Sequence, residues 1–459
     1  MGQNVSVSMR RTFFMKTTNV EIHPTDQMLS IGDLFLLGLQ HIAAMCAGAM
    51  AVPMILGNSL GLGSNDIHAL VTAAFMMAGL GTLIQTLGIK KIFGSRLPMV
   101  EGVSFAGVAA LTAVGITYRG TDSLTGLQIM FGATIVSGIF CMVMAPVFGK
   151  LLKFFPPLVS GVVVTSMGLS LIPVAVRWAG GGNPASADFG SFQNIFIALI
   201  TLVIIIGIQK LSKGFLGNIA ILIGIVAGTA IAFFMGAVDF SNVKEVGFIA
   251  FNMPLKFGMP KFELTSILSL FLVQLVIMTD ATGNQLNLSN ICGTDEKDEK
   301  RLIAGLRAHG LSSMLGGIFN TFPQSLFGQN VGIAAMTGVS SRFVGTAAGV
   351  ILLLVSIFPK LTAVLTAIPL PVLGGAGIVM FGIVAANGIK RLGEVNYAGN
   401  KNLMIVAVSI GLAVVPIAVP EIFKQFPAWG KILFQSSVTL GCLSVVILNV
   451  IFNEMNKKK

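Results

Sequence analysis

The stretches Gly107-Val-Ala-Ala-Leu-Thr112-Ala-Val114 and Gly332-Ile-Ala-Ala-Met-Thr337-Gly-Val339 agree at five of eight positions. The same spacing pairs Pro98 with Pro323. A weaker echo pairs Pro157-Leu-Val-Ser-Gly161 with Pro371-Val-Leu-Gly-Gly375. A repeat of about 225 residues therefore divides the chain into two halves. Of its 459 residues, 54% are apolar and only 10% charged, against about 25% charged in a soluble protein. Mean hydropathy is +0.88. This is the composition of an all-α polytopic membrane protein. It excludes a soluble enzyme and, despite a net charge of +11, a nucleic-acid binder. A β-barrel is excluded too, because the apolar runs are long and continuous rather than alternating.

A helix needs about 20 apolar residues to cross the hydrocarbon core. Such runs give about fourteen segments: 31–57, 67–89, 99–116, 125–148, 154–173, 191–209, 215–236, 264–291, 302–321, 328–340, 343–366, 369–388, 402–419 and 432–452. The third (99–116) and tenth (328–340) are too short or interrupted to be ordinary spans, and they carry the repeated stretch. A repeat of seven segments, an odd number, inserts its second copy upside down. Inverted repeats, each with a broken segment, are built into secondary transporters, whose site lies near the midplane where half-helix N-termini face each other. Those points fall at Val103–Phe105 and Gly328–Asn330. The competing reading is a small-residue helix pair repeated by accident of composition.

With the N-terminus placed in the cytoplasm, basic residues alternate loop by loop. Arg10, Arg11, Lys16, Lys90, Lys91, Arg96, Arg342, Lys390, Arg391 and Lys457–Lys459 are among those inside, and more than two lie inside for each one outside. That asymmetry is the positive-inside rule, and it puts both termini of a multi-pass protein in the cytoplasm. Residues 1–30 hold no apolar run long enough for a cleavable signal peptide. Cys46, Cys141, Cys292 and Cys442 share no spacing and read as apolar core residues. The histidines at 23, 41, 68 and 309 have no mutual spacing, so no metal site, cofactor or catalytic constellation is expected.

Ionisable residues deep in a span are costly and usually face a cavity. His41 lies in the middle of the first span and Asp280 in the eighth. Glu101, at the start of the third segment, is near enough to the boundary to be solvated, and Arg307 and His309 are near the inner end of the ninth. Asp280, Asn284 and Asn287 fall at i, i+4 and i+7, on one helix face. A carboxylate among carboxamides can take up a proton during a transport cycle, or can simply tie helices together by hydrogen bonds. His41 can brace the opposite broken segment or carry protons. The Gln329 carboxamide presents an acceptor and donors side by side, fit for a base edge with adjacent N–H and C=O groups. Phe105 offers a flat apolar face. Together these residues suit a planar heterocycle.

Gln329-Asn330-Val-Gly332-Ile-Ala-Ala-Met-Thr337-Gly338 resembles the signature Gln/Glu/Pro-Asn-x-Gly-x4-Thr-Arg/Lys/Gly of the nucleobase–ascorbate transporters, the nucleobase:cation symporter-2 family. Supporting likenesses are Gln40-His41, Gly102-Val-Ser104-Phe105, Phe155-Pro-Pro-Leu-Val-Ser-Gly161, Phe257-Gly-Met-Pro-Lys-Phe262 and Ile368-Pro-Leu-Pro-Val-Leu-Gly-Gly375. The style is closest to bacterial xanthine and uric acid permeases. The resemblance implies fourteen spans in two inverted sevens. It implies a core domain (31–150 and 263–367), a gate domain (151–262 and 368–452) and cytoplasmic tails at 1–30 and 453–459. It also implies proton symport at the plasma membrane, a purine nucleobase substrate, a lipid surround and a homodimer. Ser104, Phe105, Asp280, Asn284, Phe327, Gly328 and Gln329 would bind substrate. Asp280 and His41 would handle the proton. Gln40, Asn330, Gly332 and Thr337 would support the site. Asp280 stands where the family usually has glutamate, which shortens the reach by one methylene. Glutamine at the head of the signature resembles the purine branch, and glutamate there the uracil branch. Sulfate- and bicarbonate-type anion carriers share the seven-plus-seven plan, but would favour a positively biased site without a buried carboxylate. A membrane enzyme and a pore are the remaining classes.

Overall fold

The computed structural model describes residues 23–120, 122–151, 156–212, 215–238, 247–249, 251–295 and 298–454. Most of the two expected tails, with Arg10, Arg11, Lys16 and Lys457–Lys459, lies outside the described residues, as does Phe155. In chain order the elements are α1 (Ile31–Leu60), α2 (Ser64–Leu87), β1 (Glu101–Val103), α3 (Val108–Tyr118), α4 (Ser123–Leu151), α5 (Pro157–Ala179), α6 (Phe192–Leu211), α7 (Phe215–Asn218) and α8 (Ala220–Phe234). Then follow α9 (Leu264–Ile291), α10 (Glu299–Ile318), β2 (Gln324–Leu326), α11 (Gly328–Thr337), α12 (Arg342–Ile357), α13 (Pro359–Thr366), α14 (Leu370–Leu392), α15 (Lys401–Ala418), α16 (Ala428–Phe434) and α17 (Ser437–Asn449). Among the described residues, eight helices are long and apolar enough to cross a membrane, or nine if α12 and α13, bent by 87°, form one span.

Local chemistry sets the boundaries. Ser30 caps α1, accepting from the Asp33 amide at 3.2 Å and donating to its carboxylate at 2.7 Å. Gly61 then ends the helix at φ +72°, a left-handed turn that glycine makes without steric cost. Pro359, which has no N–H and disfavours helix in the residue before it, sets the bend between α12 and α13. His68 of α2 braces that bend, its Nε2 2.8 Å from Thr362 Oγ1. The outer faces are apolar and left uncovered by the chain: the most apolar stretches of α6 and α15 are only 22% and 17% buried.

The third and tenth segments, expected over 99–116 and 328–340 to be too short or interrupted for ordinary spans, are broken by extended chain, within the one at 101–103 and just ahead of the other at 324–326. β1 pairs antiparallel with β2, Gly102 opposite Ser325. Ser104 N–H donates to Pro323 O at 2.8 Å and Phe327 N–H to Val100 O at 3.1 Å, lengthening the ladder at both ends. The reason is physical: non-helical backbone deep in the membrane must find its partners inside the protein. After the crossing, a 3-10 turn at Phe105–Gly107 leads into α3, and β2 leads directly into α11.

Packing repeats across the two halves. α2 lies on α12 and α4 on α10, each pair through facing glycines. A Cβ on Gly79 would sit 2.7 Å from Gly349 O, and one on Gly138 would sit 2.6 Å from Gly310 O. Small residues allow such backbone approach between membrane helices. α5 and α14, which carry the weaker sequence echo, pack on each other.

Glu101, expected to be solvated at the boundary, is fully buried. The strand carries it beneath α2 and α10, where its Oε1 accepts from Gln85 Nε2 at 2.8 Å and lies 2.6 Å from His309 Nδ1. Gln85 also donates to Gly305 O at 2.9 Å, and Glu101 N–H donates to Thr82 Oγ1 at 3.0 Å. The crossing is thus tied to α2 and α10 by buried polar groups. Breaking a buried ionisable pair on one side costs about 3–5 kcal/mol. Glu101→Ala and His309→Ala should each sharply lower the unfolding temperature in detergent, and the double variant should lose clearly less than their sum. Strict additivity would mean the two groups do not interact.

Candidate functional site

A cavity of about 630 Å³ opens where the two half-helices begin. Ser104, Phe105, Asp280, Asn284, Phe327, Gly328 and Gln329, the residues expected to bind substrate, all line it, and so does Gly332. The crossing brings the two sequence-distant groups together, and α9 passes beside both. Because side chains four and seven apart share a helix face, α9 presents Asp280, Asn284 and Asn287 to the cavity as one row.

Phe105 is held by edge-on contacts with Phe327 at 6.3 Å and Phe381 at 5.7 Å between ring centroids. The Phe327 ring sits so close to α1 and β1 that a Cβ on Gly48 would come within 2.7 Å of it and one on Gly102 within 2.4 Å. Glycine at both positions is therefore needed for the aromatic wall. A Cβ on Gly328, in contrast, would meet only Asn284 atoms, the nearest at 3.6 Å, so this backbone is bare toward the cavity. No side chain caps α11, and the first amides of a helix have no acceptor within it. Ser104 Oγ does accept from Ala106 N–H at 3.3 Å, capping the turn at the head of the third segment. Gln329 is exposed to the cavity.

Gly332 apart, the supporting residues lie off the cavity. Asn330 Nδ2 donates to His41 O at 3.0 Å and lies 2.9 Å from His41 Nδ1. A carbonyl oxygen only accepts, so the amide nitrogen must face His41, and Nδ1 must accept from it. His41 is buried and outside the cavity, and these bonds brace it against the opposite broken segment. Gln40 is half-buried and also off the cavity. Thr337 bonds to Ile333 O within its own helix, at the exposed end of α11.

The apolar run at 369–388 gives α14 as a span but assigns it no part in the site. Asn387, Lys390, Arg391 and Glu394 line the cavity, whereas the alternation of basic residues reads Lys390 and Arg391 as the orientation signal of an inner loop. Arg391 Nη2 donates to Asp280 Oδ1 at 2.5 Å, and Asn284 Nδ2 donates to Asp280 Oδ2 at 3.1 Å. The carboxylate expected among carboxamides alone has a guanidinium for its nearest partner. The signal is in the spacing: 387, 390 and 391 fall at i, i+3 and i+4, a polar stripe at the end of an otherwise apolar helix, and Glu394 follows just beyond it.

Among the described residues, no group of three or more histidine, cysteine, aspartate or glutamate side chains could hold a metal ion. The cavity instead offers an aromatic face, several carboxamides, bare backbone amides and one ion pair. These suit a flat, polar-edged molecule.

If Asn330 and His41 share one bond, their losses should overlap. His41→Ala and Asn330→Ala should each cost about 1–3 kcal/mol of stability, and the double variant should cost little more than either alone. Thermal unfolding of the four proteins gives the coupling, and a coupling near zero would remove the brace.

A model of the family described as the permease family matches residues 32–422. The chain is 41% identical over 429 residues to the uric acid transporter of Escherichia coli strain K12, across 93% of this chain and 88% of that protein. It is 40% identical over 428 residues to the xanthine permease of Bacillus subtilis strain 168, across 93% and 95%. Among solved structures, it resembles the transmembrane domain of a cyanobacterial bicarbonate transporter, with a TM-score of 0.61 and 17% identity over 92% of this chain and 97% of that one. It also resembles a murine solute carrier 26 anion transporter in the inward-facing state, with a TM-score of 0.62 and 13% identity over 98% and 75%. At those identities the likeness is one of fold alone.

Proposed function

This chain belongs to the permease family of the nucleobase–ascorbate transporters, and on that premise we propose that it takes up an oxidised purine, xanthine or uric acid, together with a proton across the plasma membrane. The observation that carries the reading is the convergence of Phe105, Asp280, Gly328 and Gln329 on one cavity at the crossing of the half-helices. Phe105 supplies the stacking face and the Gln329 carboxamide reads a base edge. Bare backbone at Gly328 lets the ring approach closely. Two relatives at about 40% identity are a uric acid transporter and a xanthine permease, which supports a purine over uracil. The aromatic face and carboxamides of the cavity favour a planar base over the small inorganic anions of carriers whose fold the chain shares.

Coupling is assigned to Asp280. A bare carboxylate is costly to carry through a closing, dehydrating site, so its protonation would release Arg391 and let the loaded carrier reorient. α1–α4 with α9–α13 form the core body in this reading, and α5–α8 with α14–α17 form the gate. The heaviest packing supports that division: α2 on α12, α4 on α10, α5 on α14 and α15 on α17. A homodimer with both termini cytoplasmic completes the proposal.

The decisive measurement is uptake of labelled xanthine and urate into proteoliposomes, with and without an imposed pH gradient. Guanine, hypoxanthine, uracil, ascorbate and sulfate serve as competitors. Sulfate competition without purine competition would overturn the reading. Gln329→Glu loses the amide donors, and a cost in the upper part of the range of about 1–3 kcal/mol should weaken purine uptake about tenfold or more; unchanged apparent affinity would mean Gln329 does not read the base. Asp280→Asn should retain some binding or exchange but lose gradient-driven accumulation. Full accumulation by that variant would move the proton site elsewhere.

A further inference from the structure

We propose that Arg391 determines specificity, selecting purines that carry a negative charge over uncharged ones; this rests on the purine reading above. Four charged side chains line the cavity: Asp280 on α9, Lys390 and Arg391 on the last turn of α14, and Glu394 just beyond it. Lys390 and Glu394 are exposed, whereas Arg391 and Asp280 retain 29% and 36% of their side-chain exposure. The inner pair therefore sets the electrostatics of the cavity wall.

A lone carboxylate at 280 would favour an uncharged base offering N–H groups and would repel an anion. Here Asp280 is already engaged on both oxygens, by Arg391 and Asn284. Arg391 cancels its charge and has donors left over. A guanidinium carries five N–H groups, and the one hydrogen bond found for Arg391 among the described residues uses Nη2. Its planar fork matches the oxygens of a delocalised anion and can stack on a flat ring. The N-terminal ends of the two half-helices meet the same cavity, and their amides favour negative charge as well. The chemistry these groups fit is an oxopurine that has shed a ring proton, its charge spread over ring nitrogen and carbonyl oxygen.

The test measures binding to the purified full-length protein at neutral pH, with urate as the anionic probe and hypoxanthine as the uncharged one. Arg391→Gln should weaken urate binding at least tenfold while hypoxanthine binding changes by less than threefold, and Arg391→Lys should restore part of the urate affinity. A merely structural role for Arg391 would weaken both probes alike. An unchanged urate-to-hypoxanthine ratio overturns the proposal, whether both affinities fall or neither does. If the unmodified protein binds neither probe and no xanthine, the purine reading fails instead; if it binds xanthine alone, the purine reading stands and the selection of anionic purines is overturned.

Discussion

Two three-residue strands crossing inside a membrane protein impose the constraint from which the site follows. Each unpaired backbone amide or carbonyl deep in hydrocarbon costs several kcal/mol. The chain can therefore leave the helical state at 101–103 and 324–326 only because the two stretches pair with each other. Once they pair, the half-helices that follow must start from the same place and run apart. Their N-terminal ends and the bare backbone at Gly328 then border one cavity. The inverted repeat brings two copies of one segment together in opposite orientations, which antiparallel pairing requires.

The two sides of the cavity are fastened differently. The crossing is held by buried groups, with Glu101 set against Gln85 and His309 and Asn330 against His41. Opening either would strand polar atoms in an apolar interior at several kcal/mol. α14 meets α9 across the cavity through Asp280 and Arg391, both partly exposed. A pair that water can replace is worth about 0–1 kcal/mol. The first fastening keeps the crossing in place, and the second can part and reform at little cost. The proposed transport cycle would use both, a rigid site and a wall that moves past it.

The resemblance to anion transporters of solved structure is informative because it stops at the fold. A shared scaffold fixes where a site can be, at the start of the broken helices, but the charge of the occupant depends on a few side chains. Here a carboxylate and a guanidinium sit together in the cavity. Neither the scaffold nor the apolar composition dictates that combination.

Features that follow from local spacing were legible in the sequence. Apolar runs marked the helices, and the repeat of Gly107–Val114 at Gly332–Val339 identified the broken segments. The i, i+4, i+7 spacing put Asp280, Asn284 and Asn287 on one face. Of the proposed binding residues, all reached the cavity, because they lie on the crossing or on that face. The partners were not legible. Arg391 lies 111 residues from Asp280 and resembled an orientation charge at a helix end. Glu101 resembled a solvated boundary residue until α2 and α10 closed over it. Its position in a strand was hidden too, because extended backbone there is stable only when the other half of the chain supplies the hydrogen bonds. Sequence by itself determined which residues share a helix face, since 3.6 residues per turn fixes that within one segment. Only the tertiary structure decided which faces meet, since that depends on how side chains and small residues of distant helices pack.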